Sequence, residues 1–201
     1  MNYSYISKCR VCEKNNFIKY LTLGSQPASN SFLKKFTEKE RKYPLEVLLC
    51  RNCGLSQLSV VVNSKEIFSD YDYLSSNSKQ LVLHYKKLTE KLVSKFRLNS
   101  KDLILDIGCN DGVLLNNYPS NFKKIYGYEP SNAYKNIKNK NISVINKFFS
   151  KKNAELFIKQ NISPRIITIT NVFAHIDNIR DFTQGLSAIS NDKTIDPVGA
   201  C

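Results

Sequence analysis

The stretch Leu103-Ile104-Leu105-Asp106-Ile107-Gly108-Cys109-Asn110-Asp111-Gly112 decides the fold of this chain. Apolar residues run almost without interruption through its first half, which predicts a strand buried on both faces. The two glycines that follow permit a tight turn and a close approach of the backbone to a ligand. A loop of this kind, at the carboxyl end of a buried parallel strand, is where α/β folds bind their ligands.

Strands and helices alternate after this stretch. The predicted strands are Leu103–Ile107, Lys124–Tyr128, Ile142–Ile145 and Ile166–Thr170, and the predicted helices lie near residues 113–118, 132–139, 150–161 and 178–189. This order predicts a doubly wound parallel sheet, which is a Rossmann-like α/β fold. The last segment, residues 191–201, carries no strand pattern and is predicted to be an irregular tail.

Asp106 and the spacing of Gly108 and Gly112 predict an S-adenosylmethionine site. A dinucleotide loop would have the pattern G-x-G-x-x-G to receive a pyrophosphate, whereas this loop reads G-x-x-x-G. We expect Asp106 to face the ammonium and carboxylate end of the cofactor; the alternative is a buried carboxylate that caps the turn. The loop is expected to hold the methionine moiety through Gly108, Cys109, Asn110 and Gly112.

Further candidate site residues follow the later strands. Glu129 lies about 20 residues after the glycine loop, at the spacing of a carboxylate that accepts the ribose hydroxyls; the alternative is an ordinary solvated strand end. Phe148 and Phe149 follow the third strand, where the adenine ring would lie, and Phe148 is the candidate to stack on it, although phenylalanine is more often a core residue. Asn171 and His175 follow the fourth strand at the edge that faces the transferred methyl group, where a histidine can act as a general base. His84 is interpreted as structural.

Two C-x-x-C pairs, Cys9-Arg10-Val11-Cys12 and Cys50-Arg51-Asn52-Cys53, predict a metal centre. The N-terminus has no apolar signal-peptide core, so we expect a cytoplasmic chain with reduced thiols. Four thiolates make a closed tetrahedral zinc site, which is structural because no coordination position stays open. A redox dithiol and a chance spacing are the alternatives.

The N-terminal part is predicted to be separate from the sheet domain. Within it, Leu23–Phe32 is predicted to be an ordered loop, Tyr43–Leu49 a strand, and Leu55–Val60 the hairpin partner of that strand. A helix with apolar spacing from Leu81 to Phe96 follows, capped by Ser75, Ser76 or Asn77. The predicted division is a zinc module (1–62), a tyrosine-rich segment with a linking helix (63–99), a cofactor-binding domain (100–190) and the tail (191–201).

The chain has 201 residues and a net charge of +13. A basic surface favours anionic partners, and a zinc-ribbon protein that binds nucleic acid, or an RNA methyltransferase, is an alternative reading. Against it, the lysines form no run, and Asn171-Val172-Phe173-Ala174 lacks the Asn/Asp-Pro-Pro-aromatic pattern of enzymes that methylate base amino groups. Nucleic acid is therefore not the expected partner. No apolar run approaches the roughly 20 residues that span a bilayer, so no membrane partner is expected.

Taken together, the motifs resemble the zinc-containing, S-adenosylmethionine-dependent C-methyltransferases that act on nucleotide-linked deoxysugars. The matching motifs are Cys9-x-x-Cys12, Leu23-Gly24, Pro27-Ala28-Ser29-Asn30-Ser31-Phe32, Tyr43-Pro44-Leu45, Cys50-x-x-Cys53-Gly54, Tyr71-Asp72-Tyr73-Leu74-Ser75-Ser76, Asp106–Gly112, Gly127-Tyr128-Glu129-Pro130-Ser131 and Asn171-Val172-Phe173-Ala174-His175-Ile176. The resemblance implies methyl transfer to the carbon beside the keto group of a nucleotide-linked sugar. It also implies that Tyr71 and Tyr73 lie near sugar and cofactor, and that His175 lies in the active site.

The chain departs from this family in length. Members are roughly twice as long, and their second half carries a Tyr-His-Glu-His type segment and further strands that have no match here. We therefore expect a truncated methyltransferase domain whose partner is a separately encoded C-terminal half or a second copy of the chain. A non-catalytic, cofactor-binding remnant is the remaining alternative.

Overall fold

A computed structural model describes residues 3–29, 33, 35, 37–68, 73–196 and 198–199. Tyr71, one of the predicted site residues, lies outside them. The chain divides into two compact units, Met1–Tyr71 with Asp177–Arg180, and Asp72–Ile176 with Asp181–Cys201. The boundaries predicted at residues 62, 99 and 190 are finer than this division and remain predictions.

The N-terminal unit consists mainly of two small antiparallel sheets. Its elements are β1 (Tyr3–Tyr5), β2 (Phe17–Pro27), β3 (Lys42–Cys50), β4 (Ser56–Leu58), β5 (Val60–Val62) and the short helix α1 (Ser64–Phe68). One sheet pairs β1 with β5, and the other has the order β2-β3-β4. The predicted hairpin therefore forms between β3 and β4. The segment predicted as its second strand is divided into β4 and β5, because Val60 pairs with Tyr5 of β1 instead of with β3.

The prediction of a loop over Leu23–Phe32 is wrong for residues 23–27, which belong to a strand. Strand β2 continues to Pro27 and stays paired with β3, where Ser25 lies opposite Pro44 and Gln26 opposite Tyr43. The register shifts between Thr22 and Ser25, and Gly24 has a φ of +70°. A glycine-containing irregularity inside a long strand accounts for the turn-like composition, because such bulges use the same residues as loops.

The second unit is built on a parallel five-stranded sheet. Its elements are α2 (Lys79–Lys95), β6 (Ile104–Ile107), β7 (Ile125–Tyr128), β8 (Ile142–Ile145), α3 (Lys151–Gln160), β9 (Ile166–Thr170), α4 (Ile179–Ile189) and β10 (Val198–Gly199). The strand order is β10-β9-β6-β7-β8. The chain runs outward from β6 to β8 and then returns to β9 on the other side of β6. The carboxyl ends of β6 and β9 therefore form the switch point at which such sheets bind ligands.

Both faces of this sheet are covered, which explains why its strands are almost purely apolar. One core packs Ile104, Ile125 and Ile142 against α2 residues such as Tyr85 and Leu92. The other core lies against α3 and α4 and contains Leu103, Leu105, Ile107, Tyr128, Ala154, Phe157, Ile167, Ile169, Phe182 and Ile189. Alternate residues of β6 point to opposite faces, so Asp106 shares the face that carries Ile104.

Three elements of this unit differ from the sequence-based expectation. The helices predicted near 113–118 and 132–139 are short 3-10 turns, Leu115–Asn117 and Asn132–Asn136. The tail predicted to be irregular supplies β10, which pairs in parallel with Ile169 and Thr170 of β9. Among the described residues, no helix is both long and apolar enough to cross a membrane.

Candidate metal centre and cofactor site

The four cysteines of the two C-x-x-C pairs come together in the N-terminal unit. The Sγ atoms of Cys9 and Cys53 are 3.6 Å apart, those of Cys12 and Cys50 are 3.5 Å apart, and all four lie within 4.8 Å of one another. Zinc–sulfur bonds of about 2.3 Å put tetrahedral thiolates about 3.8 Å apart. The spacing therefore fits one zinc ion held by four thiolates.

Each cysteine pair lies in its own turn, and the two turns have the same backbone geometry. The N–H of Glu13 donates to the Cys9 carbonyl, and the N–H of Gly54 donates to the Cys50 carbonyl. Both donors have positive φ, 60° at Glu13 and 77° at Gly54. Burial raises the pKa of the Cys9 thiol, but hydrogen bonds from backbone N–H groups, first that of Cys12, outweigh burial and lower this pKa to about 6. A thiol ionised at neutral pH is ready to bind a metal.

At the switch point of the sheet, four backbone N–H groups of the loop after β6 already donate to other groups of the protein. Gly108 and Cys109 both donate their N–H groups to the Tyr128 carbonyl, at 2.8 and 3.0 Å. The N–H of Asn110 donates to Glu129 Oε2 at 2.8 Å, and that of Gly112 donates to the Cys109 carbonyl at 2.8 Å. A phosphate site needs N–H groups that point at the ligand. This loop is therefore not a phosphate cradle.

Three buried carboxyl groups surround the same loop. Asp106, Asp111 and Glu129 are 2%, 5% and 6% exposed. The Thr168 hydroxyl donates to Asp106 Oδ1 at 2.6 Å, and Asp111 Oδ1 has no hydrogen-bond partner among the described residues. Burial and, to a smaller extent, the charge of Glu129 raise the pKa of Asp106, the Thr168 hydroxyl lowers it, and the net result is a pKa of about 7. The site is rich in acceptors and suits a cationic ligand group.

Cys109 lies between these carboxyls and is held as a neutral thiol. Burial raises the pKa of Cys109, and the charges of Asp106, Glu129 and Asp111 raise it further. A Cβ atom on Gly127 would lie 2.4 Å from Cys109 Sγ, so the thiol packs directly against the neighbouring strand. Its side chain is therefore part of the packing beneath the loop.

The side chain of Asn110 turns away from the loop and binds another segment. Asn110 Oδ1 accepts the N–H of Ser75 at 2.9 Å, and Nδ2 donates to the Tyr73 carbonyl at 3.0 Å. Asp111 Oδ2 accepts the N–H of Ser76 at 3.1 Å. These contacts were not foreseen, because sequence spacing does not show which backbone a side chain will meet. The cap of α2 is Ser78, whose hydroxyl accepts the N–H of Leu81, so the predicted caps Ser75, Ser76 and Asn77 are wrong.

The remaining predicted residues lie on surfaces near the ends of the later strands. Phe148 is 39% exposed, whereas Phe149 packs on Tyr128 with ring centroids 5.2 Å apart. Asn171 follows β9 with a φ of 56° and is exposed. His175 is exposed at the end of a 3-10 turn. Exposure leaves Phe148 and His175 accessible to a ligand.

Comparison with known proteins assigns both units to known domain types. Residues 80–195 match a family described as "Methyltransferase domain". The chain belongs to this methyltransferase family. Residues 9–68 match a second family, described as "Putative zinc binding domain", which covers all four clustered cysteines. The predicted zinc module followed by a Rossmann-like methyltransferase fold is thus confirmed, and the cysteine cluster is a structural zinc site.

Two curated relatives are methyltransferases by name. The chain is 26% identical over 187 residues to the C-methyltransferase NovU of Streptomyces niveus, a match that covers 92% of this chain and 44% of NovU. It is 38% identical over 61 residues to an uncharacterized methyltransferase of Schizosaccharomyces pombe, covering 30% of this chain and 24% of that protein. This methyltransferase chain therefore spans less than half the length of the curated relatives it matches.

Solved methyltransferase structures are also similar. One is the plantazolicin methyltransferase BpumL in complex with a monoazolic desmethylPZN analog and SAH, at 17% identity and a TM-score of 0.46, covering 63% of this chain and 50% of that one. Another is the precorrin-6y C5,15-methyltransferase of Geobacter metallireducens, at 14% identity and a TM-score of 0.44, covering 68% of each chain.

Replacement of one zinc ligand tests the metal centre. Cys50→Ser should reduce bound zinc from about one per chain to a small fraction and unfold the N-terminal unit, because a closed thiolate site supplies folding free energy. Zinc is measured by mass spectrometry of the purified protein, and folding by circular dichroism. Cys109→Ala is the matched control, because Cys109 lies outside the cluster and should leave zinc unchanged. Full zinc content in Cys50→Ser would contradict the assignment.

The raised pKa of Asp106 predicts a pH-dependent stability. The folded state binds more protons than the unfolded state between the ordinary pKa of 3.8 and about 7, so the free energy of unfolding falls as pH rises through this window. Asp106→Asn removes this titration and still accepts the Thr168 hydroxyl. Relative to wild type, Asp106→Asn should become progressively more stable up to about pH 7 and then level off.

Urea unfolding at a series of pH values measures this difference. Asp192→Asn is the matched control for replacing a carboxylate by an amide, because Asp192 is exposed and lies outside the site. A pH-independent difference for Asp106→Asn would show that Asp106 titrates normally in the folded protein.

Proposed function

We propose that the second unit binds S-adenosylmethionine at the carboxyl end of β6. The observation that carries this proposal is the acceptor-rich loop, in which four backbone N–H groups are used internally and three carboxyl groups are buried nearby. Such a site favours the cationic ammonium and sulfonium groups of this cofactor over the phosphates of a dinucleotide.

The residues fit the cofactor in the following roles. Glu129 would accept the ribose hydroxyls, since each of its oxygens accepts one backbone N–H and keeps a second lone pair. Asp106 and the loop from Gly108 to Gly112 would bind the methionine moiety, with Cys109 and Asn110 contributing through their backbone carbonyls, because their N–H groups already donate to Tyr128 and Glu129. Phe148 would stack on adenine, and Asn171 would lie beside the reacting end. Bound there, the cofactor supplies an electrophilic methyl group.

We infer that the reaction is methylation of a carbon beside a keto group of a nucleotide-linked deoxysugar. His175 is the proposed general base; it would take the proton from that carbon. The resulting electron pair would form the new carbon–carbon bond to the methyl group as the bond from methyl to sulfur breaks, and S-adenosylhomocysteine would leave. Tyr71 and Tyr73 would orient the sugar. Support comes from the motif set and from the 26% identity to a C-methyltransferase. The net charge of +13 suits a diphosphate-linked substrate.

A partner is part of the proposal. The match covers 44% of NovU, and the proposed partner is a separately encoded C-terminal half or a second copy of the chain. A cofactor-binding protein without turnover is the alternative, and a cytoplasmic location stays a prediction. The basic charge keeps RNA as a second candidate acceptor, for which strong salt-dependent binding is the signature.

Calorimetric titration with S-adenosylmethionine tests the cofactor site. Wild type should bind, and Glu129→Gln should weaken binding about tenfold to a hundredfold, because a hydrogen bond to a charged acceptor is lost. The control is Glu155→Gln on α3, since Glu155 is exposed and outside the proposed site. Absence of binding to the folded, zinc-loaded wild type would overturn the proposed function.

The two histidines allow a matched test of the general base. With a panel of keto-deoxysugar nucleotides and labelled cofactor, His175→Ala should lower turnover about a hundredfold or more. His84→Ala should leave turnover near wild type, because His84 is exposed on α2. Cofactor binding without turnover by wild type would favour the non-catalytic alternative, and equal turnover in both variants would remove His175 from the mechanism.

A further inference from the structure

The contact between the cofactor loop and the segment Tyr73–Asn77 carries an inference beyond the binding site. Three hydrogen bonds join them, and all three use side chains of the loop and backbone groups of the segment. The partners are 35 to 37 residues apart in sequence. The contact is therefore tertiary and specific.

The Asn110 side chain suits this contact because it is a carboxamide. It donates to the Tyr73 carbonyl and accepts from the Ser75 N–H. These are the two backbone groups to which an adjacent β-strand would form its hydrogen bonds. Only Asn and Gln carry both a donor and an acceptor of this kind. Asn110 also has a φ of 51°, a conformation that asparagine tolerates better than most residues. One residue thus makes the turn and binds the segment.

The Asp111 carboxylate makes a second contact with the same segment, next to that of Asn110. Asp111 is buried and accepts the N–H of Ser76, the residue after Ser75 in the 3-10 turn Ser75–Asn77. Two successive N–H groups at the start of this turn are thus bound by two successive loop side chains. Because the Asn110 N–H donates to Glu129, the same residue connects the segment to the proposed ribose carboxylate.

We propose that Asn110 and Asp111 are positioning residues that hold the segment Tyr73–Asn77 on the cofactor loop. The inference rests on the proposed function in one respect: a cofactor bound at Glu129 and the loop then also fixes Tyr73, which faces the acceptor in that proposal. Because coupling between sites is reciprocal, fixing the segment strengthens cofactor binding in turn. The clamp itself is a property of the protein without ligand.

Residue-resolved amide hydrogen exchange by NMR tests the clamp in the full zinc-loaded chain. Asn110→Gly keeps the positive φ and removes both side-chain bonds, so the Ser75 N–H should exchange roughly tenfold faster than in wild type. Asp111→Ala should have the same effect on the Ser76 N–H, and Asp111→Asn should restore protection because its amide oxygen still accepts. Ser78→Ala is the control: it removes the α2 cap and should speed exchange at Leu81 only.

The same amides report the coupling when S-adenosylmethionine is added. Protection of Ser75 and Ser76 should rise with cofactor in wild type and in Asp111→Asn, but not in Asn110→Gly. A role confined to overall stability would instead change exchange throughout the domain. Unchanged Ser75 exchange in Asn110→Gly would overturn the clamp. If wild type binds no cofactor, the proposed function fails, and the ligand-free rates of Ser75 and Ser76 still decide whether the clamp exists.

Discussion

The carboxylate of Glu129 is the constraint on which the site of this protein depends. One oxygen accepts the N–H of Asn110 and the other accepts the N–H of Ser131, both at 2.8 Å, while the side chain is almost fully buried. These bonds fix the loop after β6 to the end of β7. Removal of one of these two partners would cost more free energy than a single hydrogen bond contributes, because the buried charge would be left poorly solvated. The loop, the turn after β7 and, through Asn110, the segment at Tyr73 therefore depend on one charged group.

The burial of three carboxyls near the carboxyl ends of β6 and β7 is unfavourable for the protein alone. It raises the pKa of Asp106, and the charge of Glu129 adds to this effect. Conflicts of this kind between local stability and the fold are concentrated at functional sites. A cationic ligand group would relieve the repulsion, whereas a phosphate would increase it. The energetics of this site therefore favour a positively charged ligand group, independently of any family resemblance.

The parts that could be predicted from sequence are those that local patterns determine. Buried parallel strands read as apolar runs, so β8 and β9 were predicted with their observed bounds. The spacing of the two C-x-x-C pairs predicted the zinc site. The course of β2 through Leu23–Pro27 was missed because a bulged strand and a loop share glycine and serine. The pairing of β10 was missed because two residues are too few for a periodic pattern. The partners of Asn110 depend on a segment 35 residues away, which no local pattern encodes.

The hydrogen bonds of the loop also change how its sequence motif is understood. Read alone, Gly-Cys-Asn-Asp-Gly suggests a flexible cradle in which glycines admit the ligand and the residues between them are spacers. In the structure, Cys109 packs against Gly127, and Asn110 and Asp111 bind the backbone of another segment. A Cβ atom at Gly108 would lie 2.3 Å from Val172, so the first glycine is required by packing against the turn after β9 as well as by its φ of +77°. Each residue between the glycines thus fixes a different neighbour, and the motif is specific because it joins the surrounding loops into one arrangement.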